Sequence, residues 1–326
     1  MKCINKKLYV LLSICIVAVT LLGCGKNDYA FEYSKNHHTS SFNIISSTLP
    51  QRNETFASDI CVVTDNILSD TVSIEEDSAA ALFDVKNNEV LYAKDANEML
   101  YPASLTKVMT ALVAIKNGNM DDILVASNNV KVNESGATVI GLKSGDTMTL
   151  NQALHILLIN SSNDVANLIA ENIGGDIDTF VQMMNEEAVR IGATNTNFKN
   201  PHGLSDSNHY TTVYDMYLIF NEAIKYDIFN EIIHMQTYET VYYDSRGNEK
   251  EVSIMTTNQF LRGNYTAPNN MTIVGGKTGT TDMSGHCLVI LAKDTSGNPY
   301  IGVILRASSR DLINKEMIQM LSEINK

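Results

Sequence analysis

In the stretch YPASLTKVMTAL a hydroxyl and an amine, Ser104 and Lys107, stand three residues apart. If the stretch is helical, that spacing puts both on one face. A serine is a poor nucleophile until a base takes its proton, and a lysine is a base only when neutral. From an unperturbed pKa near 10.4, keeping Lys107 neutral at pH 7 costs about 4.6 kcal/mol. Burial and a second nearby cation can supply that shift, and a helix N-terminus favours negative charge developing on the serine oxygen. The competing reading is structural. A serine at a helix start is a common N-cap, and Ser-x-x-Lys arises about once by chance in a chain of this size.

Two further stretches bear on the choice. Ser161, Ser162 and Asn163 fall between two helical patterns in LNQALHILLINSSNDVANLIAEN. A hydroxyl and a carboxamide there could relay a proton and hold an amide; a plain N-cap would need one of them. Lys277-Thr278-Gly279 follows a glycine pair and precedes two strand patterns, Cys287 to Lys293 and Tyr300 to Ala307. A strand so composed presents a charge, a hydroxyl and, at Gly279, an open backbone edge on which an extended peptide can pair. Ser127-Asn128-Asn129 also fits Ser-x-Asn, but it lies within a turn and is set aside.

The elements that must position these residues are legible. Ala79 to Val85 and Glu89 to Ala93 read as a hairpin around Lys86-Asn87-Asn88. Leu105, Val108, Met109, Leu112 and Val113 have helical spacing, stopped by Gly118. Thr149 with Gln152 forms a capping-box start for the next helix. The pattern resumes near Val165, and a final helix is expected in DLINKEMIQMLSEI.

Taken in order, Ser-x-x-Lys, Ser-x-Asn and Lys-Thr-Gly resemble the penicillin-recognising serine enzymes. The stretches AALFDVKNNEVLYAKDANEMLYPASLTKVMTAL, ESGATVIGLKSGDTMTLNQAL, NPHGLSDSNHYTTVYDM and GGKTGTTDMSGHC are similar to D-alanyl-D-alanine carboxypeptidases of the low-molecular-mass penicillin-binding protein type, over about residues 78 to 322. The resemblance implies an α/β fold of the α+β type: an antiparallel five-stranded sheet packed with helices, plus an inserted helical region carrying Ser161 to Asn163. It implies Ser104 as nucleophile, Lys107 as its base and Ser161 as proton donor to the leaving D-alanine. Asn163 would bind the substrate amide and Lys107, and Lys277 would hold Lys107 neutral and orient Ser161. Backbone N–H groups of Ser104 and Thr280 would form the oxyanion hole, with Thr278 and Thr280 at the terminal carboxylate. The implied partners are peptidoglycan stem peptides ending in D-Ala-D-Ala, and β-lactams as covalent inhibitors.

The sequence departs from the family pattern at one point of recognition. Relatives often carry an arginine after the last strand, and its usual place falls here at about Ile313; Arg306 and Arg310 are the nearby guanidinium groups. A serine β-lactamase is the rival enzyme, but the Glu-x-x-Leu-Asn segment common in that class is absent. A catalytically silent penicillin-binding wall lipoprotein is the rival from another class.

Composition sets the remaining bounds. A net charge of -13 over 326 residues, with Lys and Arg concentrated nowhere beyond the first few positions, argues against a nucleic-acid partner. The seven histidines lack metal-ligand spacing, and no metal or cofactor is expected. Lys2, Lys6 and Lys7 precede an apolar run from Leu8 to Leu22, which reads as an export signal over residues 1–24. Its end, Leu21-Leu22-Gly23-Cys24, resembles a lipobox, so Cys24 is the expected lipid-attachment residue and the protein is expected on the outer face of the bacterial cytoplasmic membrane. That lipid would replace the C-terminal amphipathic anchor of many relatives. Residues 25–77 read as a flexible polar linker, and residues 78–326 as the catalytic domain. Of the remaining cysteines, Cys61 falls in the linker and Cys287 in a strand, so no disulfide is expected.

Overall fold

The protein is described from a computed structural model over residues 59 to 325. The expected signal, Cys24 and the first part of the linker lie outside the described residues.

The chain begins its central sheet as expected. β1 (Ala79–Asp84) and β2 (Glu89–Lys94) form a hairpin. Its turn is closed by Asp84, whose carboxylate accepts the N–H groups of Lys86 and Asn87 at 3.0 and 2.9 Å. A 3-10 turn, Ala103–Leu105, runs into α1 (Thr106–Asn117), which stops at Gly118. Then come β3 (Ile123–Val125), β4 (Thr147–Thr149) and α2 (Leu150–Ile159). At the start of α2 the capping box forms as read: Thr149 Oγ1 accepts from Gln152 N at 3.1 Å, and Gln152 Oε1 accepts from Thr149 N at 2.9 Å. Next along the chain are α3 (Asn163–Ile173), α4 (Ile177–Arg190), α5 (Val213–Ala223), α6 (Asp227–His234), β5 (Thr237–Tyr243) and β6 (Glu249–Met255). The last part holds β7 (Met271–Thr281), β8 (Gly285–Asp294), β9 (Pro299–Ala307) and α7 (Arg310–Leu321).

Two sheets result. The larger has five antiparallel strands in the order β2-β1-β9-β8-β7. Strand alternation sends its side chains to opposite faces, and both faces are covered. Ala79, Ala81, Phe83, Val289, Leu291, Val303 and Leu305 pack with the helical region of α1 to α6. Ala80, Leu82, Leu288, Ile290, Ile304 and Tyr300 pack with Ile313, Met317, Met320 and Leu321 of α7. Burial of each such large side chain contributes about 1.5–3 kcal/mol. The implied fold class is the observed one. β7 lies at one end of this sheet, so its outer backbone edge is available to the site.

The second sheet, of order β3-β4-β5-β6, sits beside the inserted helices where only helices were expected. Its first two strands have three residues each, too short for alternation to be read from sequence.

A correction concerns the start of order. The polar composition of residues 25–77 predicts a linker up to Asp77, but the described part of it, from Asp59, is packed on the domain. Cys61 is fully buried; its N–H donates to Tyr217 Oη at 3.0 Å, and Tyr214 Oη donates to its carbonyl at 2.9 Å. Ile67 and Ala93 exchange backbone hydrogen bonds at 2.8 and 2.9 Å beside β2, and Val63 and Val72 are buried. The apolar residues show no period: Val62 and Leu68 stay exposed, while Cys61 and Val63 join the core on one face of the sheet and Val72 that on the other.

Candidate active site

The first chemical group comes from the 3-10 turn before α1. Ser104 does not cap the helix: Leu105 occupies that position and no side-chain cap bond forms. Its hydroxyl instead faces Lys107, with Oγ and Nζ 2.9 Å apart. Lys107 is fully buried, and its Nζ donates to Asn163 Oδ1 at 2.7 Å and to the carbonyl of His202 at 2.6 Å. A neutral amine has two hydrogens and one lone pair. With both hydrogens taken by carbonyl oxygens, the lone pair falls toward Ser104. Burial, and next the charge of Lys277, hold the Lys107 amine well below the ordinary lysine range.

The second group is the break between α2 and α3. Ser161 there has φ of +67°, a conformation that non-glycine residues adopt rarely. Ser162 is in the N-cap position of α3 but makes no side-chain cap. Asn163 opens the helix, buried, with its carboxamide oxygen on Lys107. Asp164 follows and accepts the backbone N–H groups of Gly141 and Leu142 at 2.8 and 3.0 Å. It thereby fixes the loop that brings Thr138 to the cavity.

The third group is β7. Lys277 is buried, and its Nζ donates to Ser161 Oγ at 2.9 Å and to Thr278 O at 2.8 Å. Burial pushes its pKa down to about 7. Thr278 Oγ1 donates to Thr257 Oγ1 at 2.6 Å, and Thr280 Oγ1 lies 3.1 Å from His286 Nδ1. Gly279 lets the strand pass directly over the nucleophile's turn. A Cβ there would sit 2.9 Å from Ser104 N and 3.0 Å from Pro102 O.

All three groups open on one cavity of about 250 Å³, lined by Ser104, Ser161 and Thr278 to Thr280 among others. The structure therefore brings together Ser104, Lys107, Ser161, Asn163, Lys277, Thr278, Gly279 and Thr280, while Cys24 lies outside the described residues. Ser127, set aside on sequence, caps the 3-10 turn Asn128–Val130 through a bond from Asn129 N at 2.9 Å.

The arginines sort themselves. Arg306 is turned to Glu98, at 3.0 Å, and to the carbonyl of Asp77. Arg310, at the start of α7, lines the cavity, as does Ile313 where the family's arginine was expected. Arg262 lines it too, and sequence reasoning missed it; its guanidinium has Met255 Sδ at 3.2 and 3.3 Å. Among the described residues neither Arg262 nor Arg310 has a carboxylate partner. The His202 carbonyl, Thr257 and Thr138 were also missed, and no side-chain motif signals a backbone oxygen delivered by a distant loop. Cys287 lies in the cavity wall as a buried thiol, pushed up to about 11 by burial.

Comparison with known proteins adds to this geometry. A family model described as D-alanyl-D-alanine carboxypeptidase matches residues 67–309. The chain is 34% identical over 251 residues to the D-alanyl-D-alanine carboxypeptidase DacF of Bacillus subtilis, covering 76% of this chain and 61% of that protein. It is 30% identical over 253 residues to DacC of Escherichia coli K12, covering 74% and 59%. It thus spans about three-fifths of the length of these relatives. The Streptomyces K15 DD-transpeptidase has the same fold, with a TM-score of 0.69 at 24% identity over 75% of this chain and 95% of that one.

Proposed function

The chain belongs to the D-alanyl-D-alanine carboxypeptidase family, and from that premise we propose that it removes the terminal D-alanine from peptidoglycan stem peptides through an acyl-enzyme on Ser104. One observation carries the reading: a buried lysine amine set between two carbonyl oxygens and the Ser104 hydroxyl 2.9 Å away, so that in its neutral form both hydrogens are engaged and the lone pair is left for that hydroxyl.

In the first step the Ser104 proton passes to Lys107 Nζ, and Oγ bonds to the carbonyl carbon of the penultimate D-alanine. The negative charge on the carbonyl oxygen is held by the backbone N–H groups of Ser104 and Thr280; removal of one such donor costs typically 10²–10³-fold. The C–N bond then breaks, and the departing amine takes its proton from Ser161, which Lys277 holds in place and which regains a proton from Lys107, leaving that amine neutral again. Water cleaves the ester, releasing the shortened peptide and returning the proton to Ser104. The substrate backbone lies along the outer edge of β7, with its amide on Asn163. Its terminal carboxylate meets Thr278 and Thr280, with Arg310 and Arg262 supplying the positive charge that the family's usual arginine supplies elsewhere.

β-Lactams enter the same path as covalent inhibitors. No Asp or Glu is among the residues lining the cavity, so the β-lactamase reading lacks a base to free a penicilloyl group. Release of free D-alanine from a D-Ala-D-Ala peptide by the purified protein tests the proposal. A protein that acylates with penicillin yet releases no D-alanine would establish the silent binding role instead.

The reading includes an extracytoplasmic location with a lipid on Cys24, supported by the apolar run ending in Leu21-Leu22-Gly23-Cys24. Two acyl chains anchor a protein stably where one is marginal. Cys24→Ser should free the protein from membranes or block its processing; a processed variant still bound to membranes would sink this part of the proposal.

A further inference from the structure

Beneath the nucleophile runs a hydrogen-bond relay to which the chemistry above gives no part. Thr106 and His209 are both buried, with His209 Nε2 2.8 Å from Thr106 Oγ1. The Thr106 hydroxyl donates to the carbonyl of Ala103 at 2.8 Å. Having given its one hydrogen to that carbonyl, it must accept from the imidazole, so Nε2 carries the ring proton. The other ring nitrogen, Nδ1, accepts the backbone N–H of Lys199 at 3.2 Å. A single neutral tautomer satisfies every group in the chain of bonds, and the Phe198 ring packs edge-on to the imidazole at 5.6 Å.

The carbonyl at the end of the relay belongs to the residue just before Ser104. Ala103 has φ of +48°, which an alanine holds only where its surroundings impose it. The same carbonyl is pressed from the side by Gly203, where a Cβ would lie 1.8 Å from it. The segment that supplies Gly203 and His209 is pinned by backbone bridges Asn197–Tyr210 and Leu100–Thr211. It also supplies the His202 carbonyl that takes a hydrogen of Lys107.

We propose that His209 is a positioning residue for the nucleophile. Through the Thr106 hydroxyl it fixes the left-handed Ala103 peptide and so sets the direction in which Ser104 Oγ meets Lys107 Nζ. The inference rests on the acyl-transfer reading of Ser104 given above. His209 does not line the cavity and touches no substrate.

Rapid-mixing kinetics of penicillin acylation test it, because they separate the non-covalent binding constant from the acylation rate constant. His209→Phe, Thr106→Val, the double variant and His209→Gln are compared, each checked for a cooperative melt. His209→Phe lowers the acylation rate constant roughly 10- to 100-fold, the scale on which small misplacements of reacting groups act, and leaves the binding constant unchanged. Thr106→Val does the same, and the double variant loses no more than the larger single, as members of one relay must. His209→Gln, which keeps an N–H within reach of Thr106, recovers most of the rate. Should His209→Phe fail to fold, Thr106→Val and His209→Gln decide. Acylation at the wild-type rate by Thr106→Val, additive losses in the double variant, or a Gln variant as slow as the worst single would overturn the proposal. A wild-type protein that takes up no penicillin would instead overturn the acyl-transfer reading beneath it.

Discussion

Lys277 Nζ and Ser161 Oγ lie 2.9 Å apart with both residues buried, so a strand of the central sheet is joined to the left-handed break between α2 and α3 by one amine–hydroxyl bond. The amine that orients this serine also carries charge near Lys107, where it is the second cause, after burial, of the depressed pKa. Orientation and electrostatics therefore reside in one side chain.

Replacing Lys277 separates the two. Acylation needs neutral Lys107, so its rate rises with pH as that amine loses its proton. Lys277→Ala removes a neighbouring positive charge, which raises the Lys107 pKa and moves the acid limb of the acylation profile to higher pH. The position of the limb, not its height, is the measurement. A limb that stays in place while the rate falls would leave Lys277 with orientation alone.

Arg310 should act on binding of the free carboxylate. A hydrogen bond to a charged partner is worth about 1.5–3 kcal/mol, so Arg310→Leu should lower kcat/KM for D-Ala-D-Ala peptides by roughly 10- to 100-fold at 1.36 kcal/mol per decade. Peptides ending in an amide should be indifferent to the change. Arg306→Leu, which loses a partly exposed pair with Glu98 and a bond to the Asp77 carbonyl, both away from the cavity lining, should leave the kinetics alone. Equal losses for acid and amide substrates would remove Arg310 from carboxylate recognition.

Two buried imidazoles predict acid sensitivity. Burial lowers His202 to about 3 and His209 to about 4. The unfolded chain takes up these protons near pH 6.5 while the fold refuses them. Stability is therefore full above pH 6.5, falls as the pH drops below it, and levels off below the folded values. For His209 the loss approaches about 3 kcal/mol by pH 4 at 1.36 kcal/mol per unit. Denaturant titrations of the wild type and His209→Gln between pH 7 and 4 should converge as the pH falls; parallel curves would refute the assignment.

Ser104→Ala should abolish penicillin labelling and cost little stability. Ser104 makes no cap bond and loses its bond with the Lys107 amine, so the change should be about 1 kcal/mol. In the wild type the penicilloyl adduct should persist for minutes. The missing general base is worth typically 10²–10⁴-fold, and no cavity carboxylate replaces it. Intact-mass spectrometry after a penicillin pulse reads both; labelling of the folded variant, or an adduct gone within a second, would contradict them.

Much of this was legible in the sequence, where short-range rules operate. The Ser104–Lys107 spacing, the Thr149–Gln152 box and the final hairpins are all decided by residues a few positions apart. The parts that were not legible depend on chain segments meeting in space. The carbonyl on Lys107 comes from His202, 95 residues away. Arg262 reaches the cavity from the segment that follows β6, with no periodic pattern to mark it. Cys61 looked like tether because its partners, Tyr214 and Tyr217, lie more than 150 positions along the chain.

The strand order carries a consequence for how the chain becomes a protein. β1 is flanked on one side by β2, which follows at once, and on the other by β9, with Ala79 opposite Leu305. The middle of the sheet cannot close until β9 is present. Closing contacts at such separation makes folding slow. Until β9 arrives, β1 offers an open strand edge with apolar residues on both faces, a template for pairing with other chains. A chain ending before Pro299 is thus expected to aggregate rather than fold in part.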